Sequence, residues 1–303
     1  MKIVIAGGTG FLGGALVSTL ARDGHDLVVL TRRARGGPAT AACAYVAWTP
    51  DGAAGPWASL VDGAGAVVNL AGESIAGRRW SAAHKQRVLD SRVHATRSLA
   101  LAIRAAANPP PVFVSGSAVG YYGPLGDQPI AEDAPAGSDF LARVCVEWER
   151  EAAGAASGRT RLVCVRTGLV LEKDGGALPE MLPPFRFGVG GPVGSGRQYW
   201  PWIHRDDWVA LVRWAIATPS ASGPVNGTAP NPVTNAEFAR ALGRALHRPA
   251  FMPAPGFALR LLLGEMADAL LLSGQRAIPA KATRAGFTFT YSNVDEALRA
   301  IFR

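Results

Sequence analysis

Apolar positions in this chain fall into short unbroken runs separated by stretches with helical spacing. Residues 2–6 form a β-branched run that meets Gly7-Gly8-Thr9-Gly10, and residues 11–22 then place their apolar side chains on one helical face. That order is strand, glycine turn, helix. Residues 27–30 are continuously apolar, as in parallel strands covered on both faces. Further strands are predicted at 44–48, 66–70, 111–115 and 161–166, each separated from the next by enough chain for a crossover. The longest helical patterns cover 81–106 and 139–156, with His94, Arg97 and Arg104 on solvated faces. Alternation of this kind predicts an α/β fold, a doubly wound parallel sheet of Rossmann type.

The texture changes after residue 172, where Gly and Pro crowd between Gly175 and Pro201. This divides the chain into an expected nucleotide-binding domain at 1–172, with later returns to the sheet allowed, and a smaller substrate lobe with a C-terminal helical segment at 173–303. Helices are expected at 235–246, capped by Thr234 or Asn235, and at 293–302. Asp207 is a candidate N-cap for the helix that follows it. Residues 257–273 are apolar but interrupted by Arg260, Glu265 and Asp268, which predicts an amphipathic helix rather than a membrane span. No internal repeat is visible.

Composition adds exclusions. The chain has 303 residues, a net charge of +8, 49% hydrophobic residues and 18% charged ones, enough to bury a large core. Basic residues occur singly or in pairs such as Arg78-Arg79, without aromatic interleaving, so no nucleic-acid partner is expected. Cys43, Cys145 and Cys164 form no CxxC pair and lie far from any His at metal-ligand spacing, so neither a metal site nor a disulfide framework is expected. The first twenty residues carry the glycine spacing of a nucleotide-binding turn rather than the architecture of a leader peptide. A cytoplasmic location is the resulting expectation, with no membrane partner and a monomeric or homodimeric state.

The run Gly7-Gly8-Thr9-Gly10-Phe11-Leu12-Gly13 fits GxGxxG through Gly8, Gly10 and Gly13, and GxxGxxG through Gly7, Gly10 and Gly13. Glycines at the turn let main-chain amides approach a pyrophosphate, and Gly13 lets helix and strand pack closely. The diphosphate then meets the positive end of the helix. About twenty residues on, where an acidic side chain would accept from the ribose 2′-hydroxyl of NAD(H), the chain reads Thr31-Arg32-Arg33. Two guanidiniums there suit a 2′-phosphate, so NADP(H) is expected in preference to NAD(H).

Four segments together carry a resemblance: the glycine turn, Asn69-Leu70-Ala71-Gly72, Ser115-Gly116-Ser117-Ala118-Val119-Gly120-Tyr121-Tyr122-Gly123, and His204-Arg205-Asp206-Asp207. The chain resembles extended short-chain dehydrogenases/reductases of the nucleotide-sugar epimerase type. More narrowly it is similar to an "epimerase family protein" subgroup, sometimes labelled cell-division-inhibitor-like, with a small C-terminal domain carrying a segment such as Leu272-Ser273-Gly274-Gln275-Arg276. The resemblance implies that Asn69 to Gly72 pass beside the cofactor riboses, with Ser115 at the next strand end. It also implies a Ser, a Tyr and, four residues later, a Lys as the reacting set. Ser117 matches the Ser.

The Tyr/Lys pair is missing: Phe140 or Leu141 stands for the Tyr, Val144 or Cys145 for the Lys, and no Lys occurs between Lys85 and Lys173. Candidate substitute acids are Tyr122 and Tyr121 first, then Glu73 and His204. The alternative for the tyrosines is packing at the lobe interface. Cys145 and Arg166 are lesser candidates for the pocket. The aromatic stretch at 199–208 is either an apolar wall for a planar or glycosyl substrate or core of the second lobe. The leading expectation is hydride exchange between NADP(H) and a small carbonyl or carbinol substrate. Its rival is a non-catalytic NADP(H) sensor or assembly partner.

Overall fold

A computed structural model describes residues 1–32 and 43–303. Its centre is a seven-stranded, wholly parallel sheet formed by β1 (Lys2–Ala6), β2 (Asp26–Thr31), β3 (Cys43–Ala47), β4 (Ala66–Asn69), β5 (Val112–Ala118), β6 (Arg161–Thr167) and β7 (Gly223–Gly227). The strand order is β7-β6-β5-β4-β1-β2-β3. The chain therefore winds outward from β1 to β3, returns past β1 to β4, and winds the other way. The point of reversal, between β1 and β4, opens a crevice beyond the strands' carboxyl ends, where doubly wound sheets hold ligands.

Each central strand is buried on both faces, which accounts for its unbroken apolar run. One face packs Ile3, Ile5, Val29, Val68, Val114 and Val165 against α1 (Phe11–Arg22) and α5 (Arg205–Ala217). The other packs Val4, Ala6, Val67 and Phe113 against α2 (Ala82–Ala105), through Ala95, Leu99 and Ile103. Ser81 caps α2 by accepting from the His84 amide, and Asp139 caps α3 (Phe140–Ala153) by accepting from the Ala142 amide. Both helices begin within one residue of where the sequence placed them.

The second lobe has its own core of Leu171, Leu182, Phe185, Trp202, Phe238, Leu242, Leu298 and Ile301. It is built from α4 (Leu178–Arg186), α6 (Asn235–Leu246), the eight-residue α7 (Gly256–Leu263) and α8 (Val294–Phe302). At the start of α6, Thr234 and Glu237 form a reciprocal capping box. The helix predicted over 257–273 is broken at Gly264, whose φ of +63° favours glycine, and ends in a π turn at Asp268–Leu272.

After residue 172 the chain contributes β7, which completes the sheet, and α5, which covers it. One expectation changes. The cap of α5 is His204, whose ring nitrogen accepts from the Asp206 amide at 3.1 Å. Asp207 instead accepts from the Thr290 and Tyr291 amides, at 2.8 Å each, and ties the C-terminal segment to the domain.

Candidate functional site

The glycine loop sits at the switch point. Gly7 has φ +80°, and a Cβ there would lie 2.6 Å from the Leu70 carbonyl carbon, so the loops after β1 and β4 touch along their main chains. A Cβ on Gly13 would overlap the Gly7 carbonyl oxygen. Gly10 begins α1 without a side-chain cap, and no acidic residue occupies the first turn. The amides of Phe11, Leu12 and Gly13 are thus left for an external acceptor. Thr9 and Gly10 are exposed.

Two more segments wall the crevice. Buried Asn69 donates to Thr96 Oγ1 at 2.8 Å and accepts from the Ala71 amide at 3.1 Å, fixing the course of Leu70, Ala71 and Gly72. On the other side the Phe11 ring lies under Gly175 and Gly176, and the Arg205–Glu172 pair at 2.9 Å stands beside it. Thr31 ends β2, and Arg32 follows in an exposed bend. Arg33 lies outside the described residues. Ser115 is fully buried, and its hydroxyl donates to the adjacent Gly116 carbonyl at 3.2 Å.

Two of the residues nominated for proton transfer have their hydroxyls engaged within the protein. Ser117 is 4% exposed and donates to Glu149 Oε1 at 2.6 Å. Tyr122 is 1% exposed; its hydroxyl donates to Asn226 Oδ1 at 2.7 Å and accepts from Arg166 Nη1 at 3.1 Å. Tyr121 carries the Arg166 guanidinium 3.4 Å over its ring and meets Tyr122 edge to face. Arg166 also grips Glu149 through two nitrogens, at 2.8 and 2.9 Å. Both tyrosines therefore pack the junction of sheet and C-terminal segment.

Electrostatics agree with that assignment. Burial alone would lower the Arg166 pKa, but the Glu149 hydrogen bonds and charge hold it above the usual arginine range. Burial raises the Tyr122 hydroxyl, with Arg166 opposing. Glu132 extends the network by accepting from the Asn226 and Lys281 amides, and Gln275 donates to the Val119 carbonyl at 2.6 Å.

The other candidates also have structural duties. Burial pushes the Cys145 thiol up to about 12, which leaves it protonated and inert. His204 is buried against Tyr291, 4.1 Å between ring centroids, and burial pulls its pKa down. Trp200, Trp202 and Trp208 are all core, which decides against a substrate wall there. Glu73 remains beside the crevice, its amide donating to Ser91 Oγ. Sequence reading missed Arg92 and Glu149. The signal for Arg92 was its place in the stripe Val88, Arg92, Ala95, Leu99 and Ile103, where a cation interrupts an apolar face.

Comparison with known proteins now fits this geometry. The model described as "NAD dependent epimerase/dehydratase family" matches residues 3–227, spanning the glycine loop and all seven strands. The chain belongs to that family. A second model, described as "Domain of unknown function (DUF1731)", matches residues 254–301, the segment lashed to the sheet by Glu132 and Asp207. Epimerase family protein Mb2239 of Mycobacterium bovis is 44% identical over 98% of this chain and 96% of its own length. The chloroplastic SDR39U1 homolog of Arabidopsis thaliana is 42% identical over 100% of this chain and 87% of its own. The crystal structure of human epimerase family protein SDR39U1 (isoform 2) with NADPH superimposes with a TM-score of 0.91 at 37% identity, covering 100% of this chain and 99% of that one.

Proposed function

We propose that this member of the family binds NADP(H) across the crevice between β1 and β4 and responds to the cofactor without turning it over through the family's tyrosine–lysine relay. Support for the cofactor comes from the uncapped, carboxylate-free start of α1, from Arg32 after β2, and from the NADPH in the human relative. Phosphate groups suit the first-turn amides, and a 2′-phosphate suits the Arg32 guanidinium. An Arg32→Glu variant is expected to lose about tenfold or more in NADPH affinity while NADH affinity holds or rises, as titration of tryptophan fluorescence would show.

One observation carries the non-catalytic part. Ser117 and Tyr122 spend their hydroxyl protons inside a buried network, while Phe140 or Leu141 and Val144 or Cys145 stand at the relay positions. Neither a phenyl or alkyl group nor an undissociated thiol can exchange a proton with a carbinol at neutral pH. Saturable NADPH binding is expected with no oxidation of bound NADPH on addition of a panel of aldehydes and ketones. Steady oxidation with any of them would overturn this reading.

A second reading, hydride exchange with a small carbonyl or carbinol compound, is favoured by Lys85. Its ammonium lies 5.1 Å from the Phe140 ring centroid and 5.8 Å from that of Trp80, held by both Glu265 oxygens at 2.8 and 2.7 Å. That is a proton carrier beside the start of α3. Carbonyl-dependent turnover that disappears in Lys85→Met, at unchanged NADPH affinity, is the outcome that establishes this reading.

A further inference from the structure

Arg92 is a buried cation held in no ion pair. It is 8% exposed, and among the described residues no carboxylate forms an ion pair with it. Nη1 donates to the Glu73 and Val88 carbonyls at 3.0 Å each, and the guanidinium lies 5.1 Å over the Trp148 ring. Those contacts satisfy one nitrogen and one face of a group with five N–H donors. The remaining nitrogens have no partner among the described residues and are not sealed from the surface, so an acceptor entering the crevice can reach them. A second donor lies nearby: the buried Trp148 Nε1 has no hydrogen-bond partner among the described residues. Burial lowers the Arg92 pKa, with the nearby Cys145 and Glu73 opposing, and the group stays cationic at neutral pH.

The location narrows the ligand. Arg92 lies against Gly72, where a Cβ would come within 3.1 Å of the guanidinium carbon, in the loop after β4. Trp148 lies against Gly116 on β5. Both belong to the half of the sheet opposite β2, where Arg32 stands. A dinucleotide laid across the switch point with its adenosine ribose toward β2 places its other ribose on the β4–β5 side. Vicinal sugar hydroxyls there would accept from the guanidinium, to which the nearby Glu73 carboxylate makes no hydrogen bond. Cys145, four residues after Leu141, feels the Arg92 charge and is too short and apolar to offer a contact of its own.

We propose that Arg92, reaching in from α2, binds the ribose on the nicotinamide side of the cofactor, so that a helix outside the motif supplies the cation missing from the relay position of α3. The proposal rests on the NADP(H) reading, and the probes separate the two. Binding of NADPH and of 2′,5′-ADP, which lacks the nicotinamide ribose, would be titrated against wild type, Arg92→Met, Arg92→Lys and the double variant Arg92→Met/Cys145→Lys, each first shown to be folded by its thermal transition. Arg92→Met is expected to weaken NADPH about tenfold or more and leave 2′,5′-ADP unchanged. Arg92→Lys is expected to recover part of the loss, and the double variant to recover NADPH binding through the cation placed at position 145. Equal weakening of both ligands would show that Arg92 merely props the Gly72–Glu73 loop and would overturn the proposal, as would undiminished NADPH binding. A wild type that binds neither probe would overturn the cofactor reading itself.

Discussion

Arg166→Ala is expected to destabilise the protein by about 3 kcal/mol or more, the range for removing one member of a buried ion pair. The side chain donates to both Glu149 oxygens, to the Tyr122 hydroxyl and to the Glu132 carbonyl, and it covers the Tyr121 ring. Without it, Glu149 keeps a largely buried carboxylate whose remaining partner is the Ser117 hydroxyl. Arg166→Lys is expected to recover little, because one ammonium cannot satisfy the two Glu149 oxygens and two further acceptors in a planar fork. Urea unfolding followed by circular dichroism measures the change. A loss below about 1 kcal/mol, the level of an exposed pair, would remove the network from the account of how the C-terminal segment is held.

The second large effect separates binding from folding. Gly10→Glu is expected to reduce NADPH affinity by about a hundredfold or more while changing stability by less than about 1 kcal/mol. Gly10 is exposed with φ −81°, and an added Cβ would meet only the Gly7 carbonyl oxygen, at 3.3 Å. The new carboxylate would occupy the positive end of α1, where it stabilises the helix and repels a diphosphate. Gly13→Val is the contrasting variant, since its side chain would overlap the Gly7 carbonyl and disturb strand and helix together. NADPH titration with parallel thermal unfolding tests both. Undiminished NADPH binding by Gly10→Glu would place the cofactor elsewhere.

Which parts were legible from sequence follows from the range of the forces involved. Helix caps such as Ser81, Asp139 and Thr234 act within one turn, so their signals lie within a few residues of each other. Asp207 reads locally as a cap, yet its carboxylate serves amides more than eighty residues away, and His204 takes the cap. Tyr121 and Tyr122 read as reactive because they follow the strand that carries Ser117. Their partners, Arg166 and Asn226, come from β6 and β7, and that long-range pairing turns them inward.

By itself, the sequence determined the alternation of strands and helices, the glycine turn at the head of α1, the absence of the tyrosine–lysine pair and the cationic residue after β2. Each is a matter of hydrophobic period, backbone freedom or side-chain chemistry at adjacent positions. Only the tertiary structure decided which polar groups face the crevice and which are spent inside the protein. Hydrogen bonds and ion pairs join residues from different strands, and the direction a side chain takes is set by partners brought together only when the sheet closes. For that reason the Ser117 and Tyr122 hydroxyls donate to Glu149 and Asn226, while Arg92, hidden in a helical stripe, is left with donors to spare.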